Sequence, residues 1–139
     1  MERPSATDVA GFRASLRRCL ETPTFLRAFY DRFIDSSDEV RAKFADTEFA
    51  RQTRVLSDSL YIMAIAAESR DESIGWKELD RLAARHARTD LDVRPGLYDT
   101  WLECLLAAAR EHDALFTDEV EQAWRRTLAP GIERLRSRY

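Results

Sequence analysis

Residues 79–101 read LDRLAARHARTDLDVRPGLYDTW, and this stretch decides the fold prediction for the whole chain. At helical spacing, Leu79, Leu82, Ala83 and His86 fall on one face of a helix. His86 therefore ends an otherwise apolar stripe that should face the protein interior. A histidine at such a position is either a core residue with a satisfied hydrogen bond or a ligand for a group that the fold holds.

The helical pattern continues in both directions from this stretch. Only four glycines and four prolines occur in 139 residues, and the alternating apolar–polar runs that predict strands are rare. The caps and breaks predict about seven helices in one all-α domain over residues 1–139. These helices follow Thr7, Pro23, Ser37, Thr47, the polar segment 68–73, the corner 93–96 and Thr117. The helix that contains His86 should run from Ile74 to Arg88.

Composition narrows the classes of function. The net charge is -3, and the basic residues are dispersed along the chain. The sequence therefore shows no cluster of positive charge that would bind nucleic acid. The first residues, MERPSATDVAGF, contain no apolar region of a secretory signal. The longest apolar run, residues 61–67, is too short to span a bilayer. We therefore expect a cytoplasmic protein with no nucleic-acid or membrane partner.

The cysteines and histidines give little support for a metal ion held by protein side chains alone. Cys19 and Cys104 each lie on an apolar helical face and are predicted to be free, buried thiols in a reducing compartment. No CxxC motif occurs, and His86 and His112 are far apart in the sequence. A zinc site is therefore not predicted.

Three polar side chains interrupt the predicted inner faces, on three different helices: Tyr30, Gln52 and His86. Burying an unpaired polar group costs about 1–3 kcal/mol, so their combination needs a functional reason. Each residue alone has an ordinary interpretation, as a tyrosine at the rim of the core, an exposed glutamine or a core histidine. The sequence contains no GxSxG, P-loop or HExxH motif, and we expect the chemistry to come from a bound group.

Two segments of the chain resemble the globins: FYDRFIDSSDEVRAKFADTEFARQTRVL at 29–56 and LAARHARTDLDVRPGLYDTWLECLL at 82–106. The resemblance is strongest to bacterial single-domain haemoglobins and to the globin domain of flavohaemoglobins, and it extends from Val9 to Tyr139. Its most specific part is a histidine followed, after a short corner, by P-x-x-Y and a long apolar helix. The resemblance implies a globin fold, in which helices pack around a haem pocket.

The resemblance also implies roles for individual residues. His86 matches the proximal histidine that ligates iron, and so it is the predicted metal ligand of haem b (iron protoporphyrin IX). Tyr30 and Gln52 match the distal residues that bond the gas ligand. Further matches to residues that line the haem are Phe44, Leu56, Leu82, Val93, Tyr98 and Leu102. Arg85 matches a basic residue that meets a haem propionate, a role for which Arg51, Arg54 and Arg94 compete.

The chain also departs from the flavohaemoglobin pattern. Residues 87–97 separate His86 from Tyr98, which makes a longer corner than that pattern has. Flavohaemoglobins place a glutamate of the last helix beside the proximal histidine, whereas here Tyr139 falls near that position and Glu133 lies upstream. Within its own helix, the carbonyl of Leu82 is the expected acceptor for the second ring N–H of His86.

These roles imply reversible binding of dioxygen, NO or CO, with dioxygen held tightly and released slowly. The same site suits the conversion of NO and dioxygen to nitrate, for which we expect a separate reductase. Two other functions stay open: a haem-based gas or redox sensor that signals through a partner, and a haem-free globin-like interaction module. The oligomeric state, monomer or homodimer, is open as well.

Overall fold

The structure is a computed structural model that describes residues 3–69, 74–87 and 91–139. Within these ranges the chain is built of helices joined by short connections, and it contains no strand. The helices of the described ranges are α1 (Ala6–Leu20), α2 (Phe25–Asp35), α3 (Asp38–Lys43), α4 (Phe49–Glu68), α5 (Ile74–His86), α6 (Leu97–His112) and α7 (Asp118–Ser137). The prediction of an all-α chain is confirmed.

Side-chain caps explain where most of the helices start. The hydroxyls of Ser37 and Thr117 accept backbone hydrogen bonds at the starts of α3 and α7, which confirms both predicted caps. The first helix begins earlier than predicted. Its N-cap is Ser5 rather than Thr7, because Ser5 and Asp8 each bond the backbone N–H of the other in a capping box.

Two further boundaries differ from the prediction. The N-cap of α4 is Glu48, whose carboxylate accepts hydrogen bonds from two backbone N–H groups of the first turn. At the other end of this helix Glu68 is still helical, although the sequence pattern suggested a loop from that residue onward. Residues 70–73 and Arg88, the predicted end of α5, lie outside the described residues.

The helices pack around one apolar core. On α1 and α7, Phe12 and Trp124 form an edge-to-face pair whose ring centroids are 4.8 Å apart. In addition, α2 packs on α6, and α4 packs on both α5 and α7. No helix of the described ranges is long and apolar enough to cross a bilayer.

The core also contains a buried carboxylate that the sequence pattern did not reveal. Asp113, only 2% exposed, accepts hydrogen bonds from the Ser15 hydroxyl at 2.6 Å and from Arg18 Nε at 2.5 Å. Burial raises the pKa of Asp113, but the hydrogen bonds from Arg18, Ser15 and the backbone of Leu115 outweigh it and hold the pKa below its ordinary value. This network ties α1 to the connection between α6 and α7.

Two neighbouring helices fix the position of α5. At its first turn α5 lies close against α4, since a Cβ added to Gly75 would be 2.9 Å from the backbone nitrogen of Ala66. On the other side, Arg134 of α7 forms an ion pair with Asp80 at 2.7 Å. These contacts hold the helix whose last residue is His86.

Candidate functional site

His86 ends α5, and its side chain is half-buried. Its Nδ1 lies 2.8 Å from the carbonyl oxygen of Leu82, which confirms the predicted acceptor. Because a carbonyl oxygen can only accept, Nδ1 carries the proton in this contact. In the neutral ring the lone pair then resides on Nε2, and a neutral imidazole nitrogen is the form that ligates metals.

The corner that follows His86 folds back onto the end of α5. The backbone N–H of Val93 donates to the carbonyl oxygen of His86 at 2.9 Å. Asp92 has a positive φ of 53°, and its carboxylate accepts a hydrogen bond from the hydroxyl of Tyr139. The sequence places Tyr139 near the glutamate position of flavohaemoglobins. In the structure its hydroxyl donates a hydrogen bond to Asp92, a residue of the corner.

Tyr30 and Gln52 come together from different helices. Tyr30 of α2 is 4% exposed, and its hydroxyl donates to the backbone carbonyl oxygen of Gln52 on α4 at 3.4 Å. Burial raises the pKa of Tyr30 to about 12, although this hydrogen bond acts in the opposite direction. The hydroxyl stays protonated at neutral pH and acts as a hydrogen-bond donor. Leu56, the next inward residue of α4, is buried.

Phe44 is the C-cap of α3 and belongs to a cluster of aromatic rings. Its ring centroid lies 5.6 Å from that of Tyr30 and 6.2 Å from that of Phe49. Phe29 and Phe33 of α2 complete this cluster. Phe49 was not among the predicted site residues, although its spacing of three residues before the predicted Gln52 placed it near the same helical face.

A cavity of about 280 Å³ lies between α4 and α5, and we call it the crevice. Its apolar lining residues are Val55, Ile62 and Leu82, and its polar ones are Asp58, Ser59, Glu78, Arg81 and Arg85. His86, Tyr30, Gln52 and Phe44 are not among the residues that line it. Leu82 and Arg85 were predicted to be site residues. Val55 and Ile62 were not predicted to be site residues, since they lie beside the buried face of α4 that has Leu56 and Leu60.

The four arginines that compete for a propionate are placed differently. Arg85 lines the crevice. Arg94 binds Glu39 instead, with its Nη2 2.9 Å from the carboxylate. Arg51 and Arg54 are exposed on α4. Of these four arginines, Arg85 is the one that lines the crevice, where Arg81, Asp58 and Glu78 also lie.

The remaining predicted residues lie on the corner and on α6. Val93 and Leu102 are half-buried, and Tyr98 is buried in the apolar core. The hydroxyl of Tyr98 has no hydrogen-bond partner among the described residues. Burial raises its pKa to about 12, against an opposing effect of Arg136. Trp124 Nε1 and Thr127 Oγ1 of α7 share this feature, so it does not by itself mark Tyr98 as a ligand contact.

The predicted residues thus form two groups. Hydrogen bonds connect His86 to Leu82 and Val93 on one side. On the other side, polar and ring contacts connect Tyr30 to Gln52 and Phe44. The first group contains an imidazole, which can ligate a metal ion. The second contains the Tyr30 hydroxyl, a hydrogen-bond donor that is surrounded by aromatic rings.

Comparisons with known proteins agree with this arrangement. The globin family model matches residues 16–132. Among solved structures, the chain is similar to the protein PA3967 of Pseudomonas aeruginosa PAO1, whose crystal structure is described as structurally highly homologous to a human haemoglobin. The two chains are 36% identical with a TM-score of 0.89, and the match covers 95% of this chain and 98% of that one. No curated protein gives a significant match.

These findings confirm the resemblance to bacterial single-domain globins. The family match extends over most of the chain, and the solved bacterial relative extends over nearly all of it. The helical architecture of the described ranges is that of the predicted fold. The chain belongs to the globin family.

Proposed function

We propose that this globin binds haem b, that His86 would hold its iron, and that the protein reversibly binds dioxygen, NO or CO. Haem supplies an iron with one coordination position open to a diatomic gas. The observation that carries the proposal is the hydrogen bond from His86 Nδ1 to the carbonyl oxygen of Leu82. It orients the ring and fixes the proton on Nδ1, so that Nε2 is the unprotonated nitrogen that would ligate iron.

The crevice offers apolar side chains and two arginines, which suit a ligand with apolar and anionic parts, whereas Asp58 and Glu78 oppose an anion placed beside them. Val55, Ile62 and Leu82 offer apolar contacts, and the guanidinium group of Arg85 suits a carboxylate at the same cavity. We therefore propose that Arg85 holds a propionate. Phe44, Leu56, Val93, Tyr98 and Leu102 are proposed to complete the apolar lining around the macrocycle.

Tyr30 and Gln52 are proposed to bind the gas ligand. The Tyr30 hydroxyl is protonated at neutral pH, and burial raises its pKa further, to about 12, so that it can donate a hydrogen bond; the amide of Gln52 is a second possible donor. A hydrogen bond to a ligand that carries partial charge contributes about 1.5–3 kcal/mol. We therefore propose tight dioxygen binding with slow release.

The remaining properties are also proposals. Cys19 is a buried free thiol, as predicted, whereas Cys104 is only half-buried; two free thiols support a reducing compartment such as the cytoplasm. Burial raises the pKa of both thiols, which disfavours the reactive thiolate. We propose a single globin domain over residues 1–139, as a monomer or a homodimer.

The test is reconstitution of the purified protein with haem, followed by Soret absorption. We expect a Soret band from the wild-type protein and its loss in His86→Ala. The matched control is His112→Ala, because His112 also ends a helix with its Nδ1 2.8 Å from a carbonyl oxygen, that of Ala108. This control should keep the band. An unchanged band in His86→Ala would overturn the ligand assignment, and no band in the wild type would favour a haem-free interaction module.

A second candidate function is NO dioxygenation, in which dioxygen, NO and an electron combine to give nitrate. The observation that favours it is the position of the Tyr30 donor beside Gln52, which suits the polar ligands of this reaction. A separate reductase would supply the electron for repeated turnover. The test mixes reduced protein with dioxygen and then NO in a single turnover, and the absence of nitrate would eliminate this function.

A further inference from the structure

Polar contacts join α3 to the corner that follows α5. The carboxylate of Glu39 accepts a bifurcated hydrogen bond from Arg94 Nε, at 3.2 Å to each oxygen, and another from Arg94 Nη2 at 2.9 Å. Lys43 Nζ donates to the backbone carbonyl oxygen of Leu91 at 3.1 Å. We call these four residues, Glu39, Lys43, Leu91 and Arg94, the latch.

The latch connects the two groups of site residues. Lys43 directly precedes Phe44, whose ring packs against Tyr30. Leu91 belongs to the corner that is bonded back to His86 through the N–H of Val93. The distal aromatic cluster and the proximal histidine are therefore tied to each other by the latch as well as by the core.

The electrostatics of the latch make it sensitive to salt. The hydrogen bonds from Arg94 hold the pKa of Glu39 below its ordinary value, Lys43 acts in the same direction, and Asp92 opposes them. Glu39 is thus ionised at neutral pH. Because Glu39 and Arg94 are both exposed, dissolved ions screen their attraction.

We propose that the latch holds the segment of Phe44 against the corner that follows His86 and slows the loss of a bound tetrapyrrole. This inference rests on the proposed haem function. A macrocycle ligated by His86 and packed against Phe44 would lie between the two segments that the latch joins. Its departure requires these segments to separate, which breaks the contacts of Arg94 and Lys43.

The test measures the rate of haem transfer from the reconstituted protein to an excess of apomyoglobin. At low ionic strength we expect Glu39→Gln to lose haem about two- to fivefold faster than the wild type, the range expected for an exposed ion pair. High salt should remove the difference, because it weakens the latch of the wild type only. The charge swap Glu39→Arg with Arg94→Glu should restore slow loss at low salt.

The matched control is Glu103→Gln, which removes another exposed carboxylate bonded to an arginine. Glu103 accepts two hydrogen bonds from Arg125, at 2.8 and 3.0 Å, and this pair joins α6 to α7. Its loss should leave the haem transfer rate unchanged. Slower haem loss in Glu39→Gln would overturn the latch, since it would mean that the released Arg94 binds a haem carboxylate.

A second readout does not require haem. In the haem-free protein, Glu39→Gln should speed amide hydrogen exchange at residues 91–97, because the corner loses a tie to α3. Equal exchange rates in both proteins would overturn the latch.

The outcomes also distinguish the latch proposal from the proposed haem function. A wild type that takes up no haem defeats the proposed function, whereas a wild type that binds haem but loses it as fast as Glu39→Gln defeats the latch alone.

Discussion

The hydroxyl of Tyr30 reaches from α2 to the backbone carbonyl of Gln52 on α4, across an oxygen–oxygen distance of 3.4 Å. This is long beside the roughly 2.7–2.8 Å typical of O–H···O hydrogen bonds. The bond is correspondingly weak, and the hydroxyl can turn toward a better acceptor at little cost. Its pKa of about 12 keeps it a donor across the physiological range.

Tyr30→Phe should therefore speed dioxygen release from the reconstituted, reduced protein. Loss of one hydrogen bond to a polar ligand costs about 1.5–3 kcal/mol, so we expect the dissociation rate to rise about tenfold or more. Stopped-flow displacement of dioxygen by CO measures it. Tyr61→Phe, at a half-buried tyrosine of α4, is the control and should leave the rate unchanged. Equal rates for Tyr30→Phe and the wild type would remove the distal role of Tyr30.

The features that the sequence predicted well are local ones. The bond between His86 and Leu82 follows from the geometry of a helix, in which a carbonyl faces the residue four positions later. The caps Ser37 and Thr117 are also local, because a side chain bonds the backbone a few residues away. Periodicity and capping residues are sufficient to predict such contacts.

Contacts between residues that are far apart in the sequence could not be predicted from it. Ser15 and Asp113 are 98 positions apart, and Glu39 and Arg94 are 55 apart. Nothing in the pattern around Glu39 distinguishes it from an ordinary acidic residue in the first turn of a helix. The latch and the buried network are consequences of helix packing, and only the tertiary structure brings their members together.

Asp113→Asn should destabilise the protein at neutral pH. The side chain of Asp113 is fully buried, and the substitution leaves Arg18 without its charged partner. Because about a third of the Arg18 side chain is exposed, the unpaired cation stays partly hydrated, and we expect a loss of about 1–3 kcal/mol of unfolding free energy. Urea denaturation measures this change, and Asp118→Asn, at a fully exposed carboxylate, is the control. A loss no larger than that of the control would show that the buried network contributes little.

The same carboxylate predicts a dependence of stability on pH. The pKa of Asp113 is lowered in the folded state, since the hydrogen bonds from Arg18 and Ser15 outweigh the effect of burial. Its contribution is therefore complete above the unfolded-state pKa of about 4 and disappears as the pH falls through the lower folded-state value. We expect the unfolding free energy to decrease less steeply below about pH 5 in Asp113→Asn than in the wild type. Parallel pH profiles for the two proteins would contradict this assignment.

Two glycines offer a matched test of how closely α5 must approach α4. A Cβ at Gly75 would lie 2.9 Å from the backbone nitrogen of Ala66, and backbone cannot move aside as a flexible side chain can. A Cβ at Gly11 of α1 would lie 3.6 Å from the Cβ of Ala123, an ordinary contact. In a helix, alanine is favoured over glycine by up to about 1 kcal/mol. Gly11→Ala should therefore raise the free energy of unfolding in urea.

Gly75→Ala should instead lower the free energy of unfolding, by about 1–3 kcal/mol, because the added methyl group pushes α5 away from α4. Since α5 ends in His86, the same displacement should weaken haem uptake, whereas Gly11→Ala should leave uptake unchanged. A stabilised Gly75→Ala would mean that the two helices separate without cost. The close approach of Gly75 to Ala66 would then have no part in positioning the histidine.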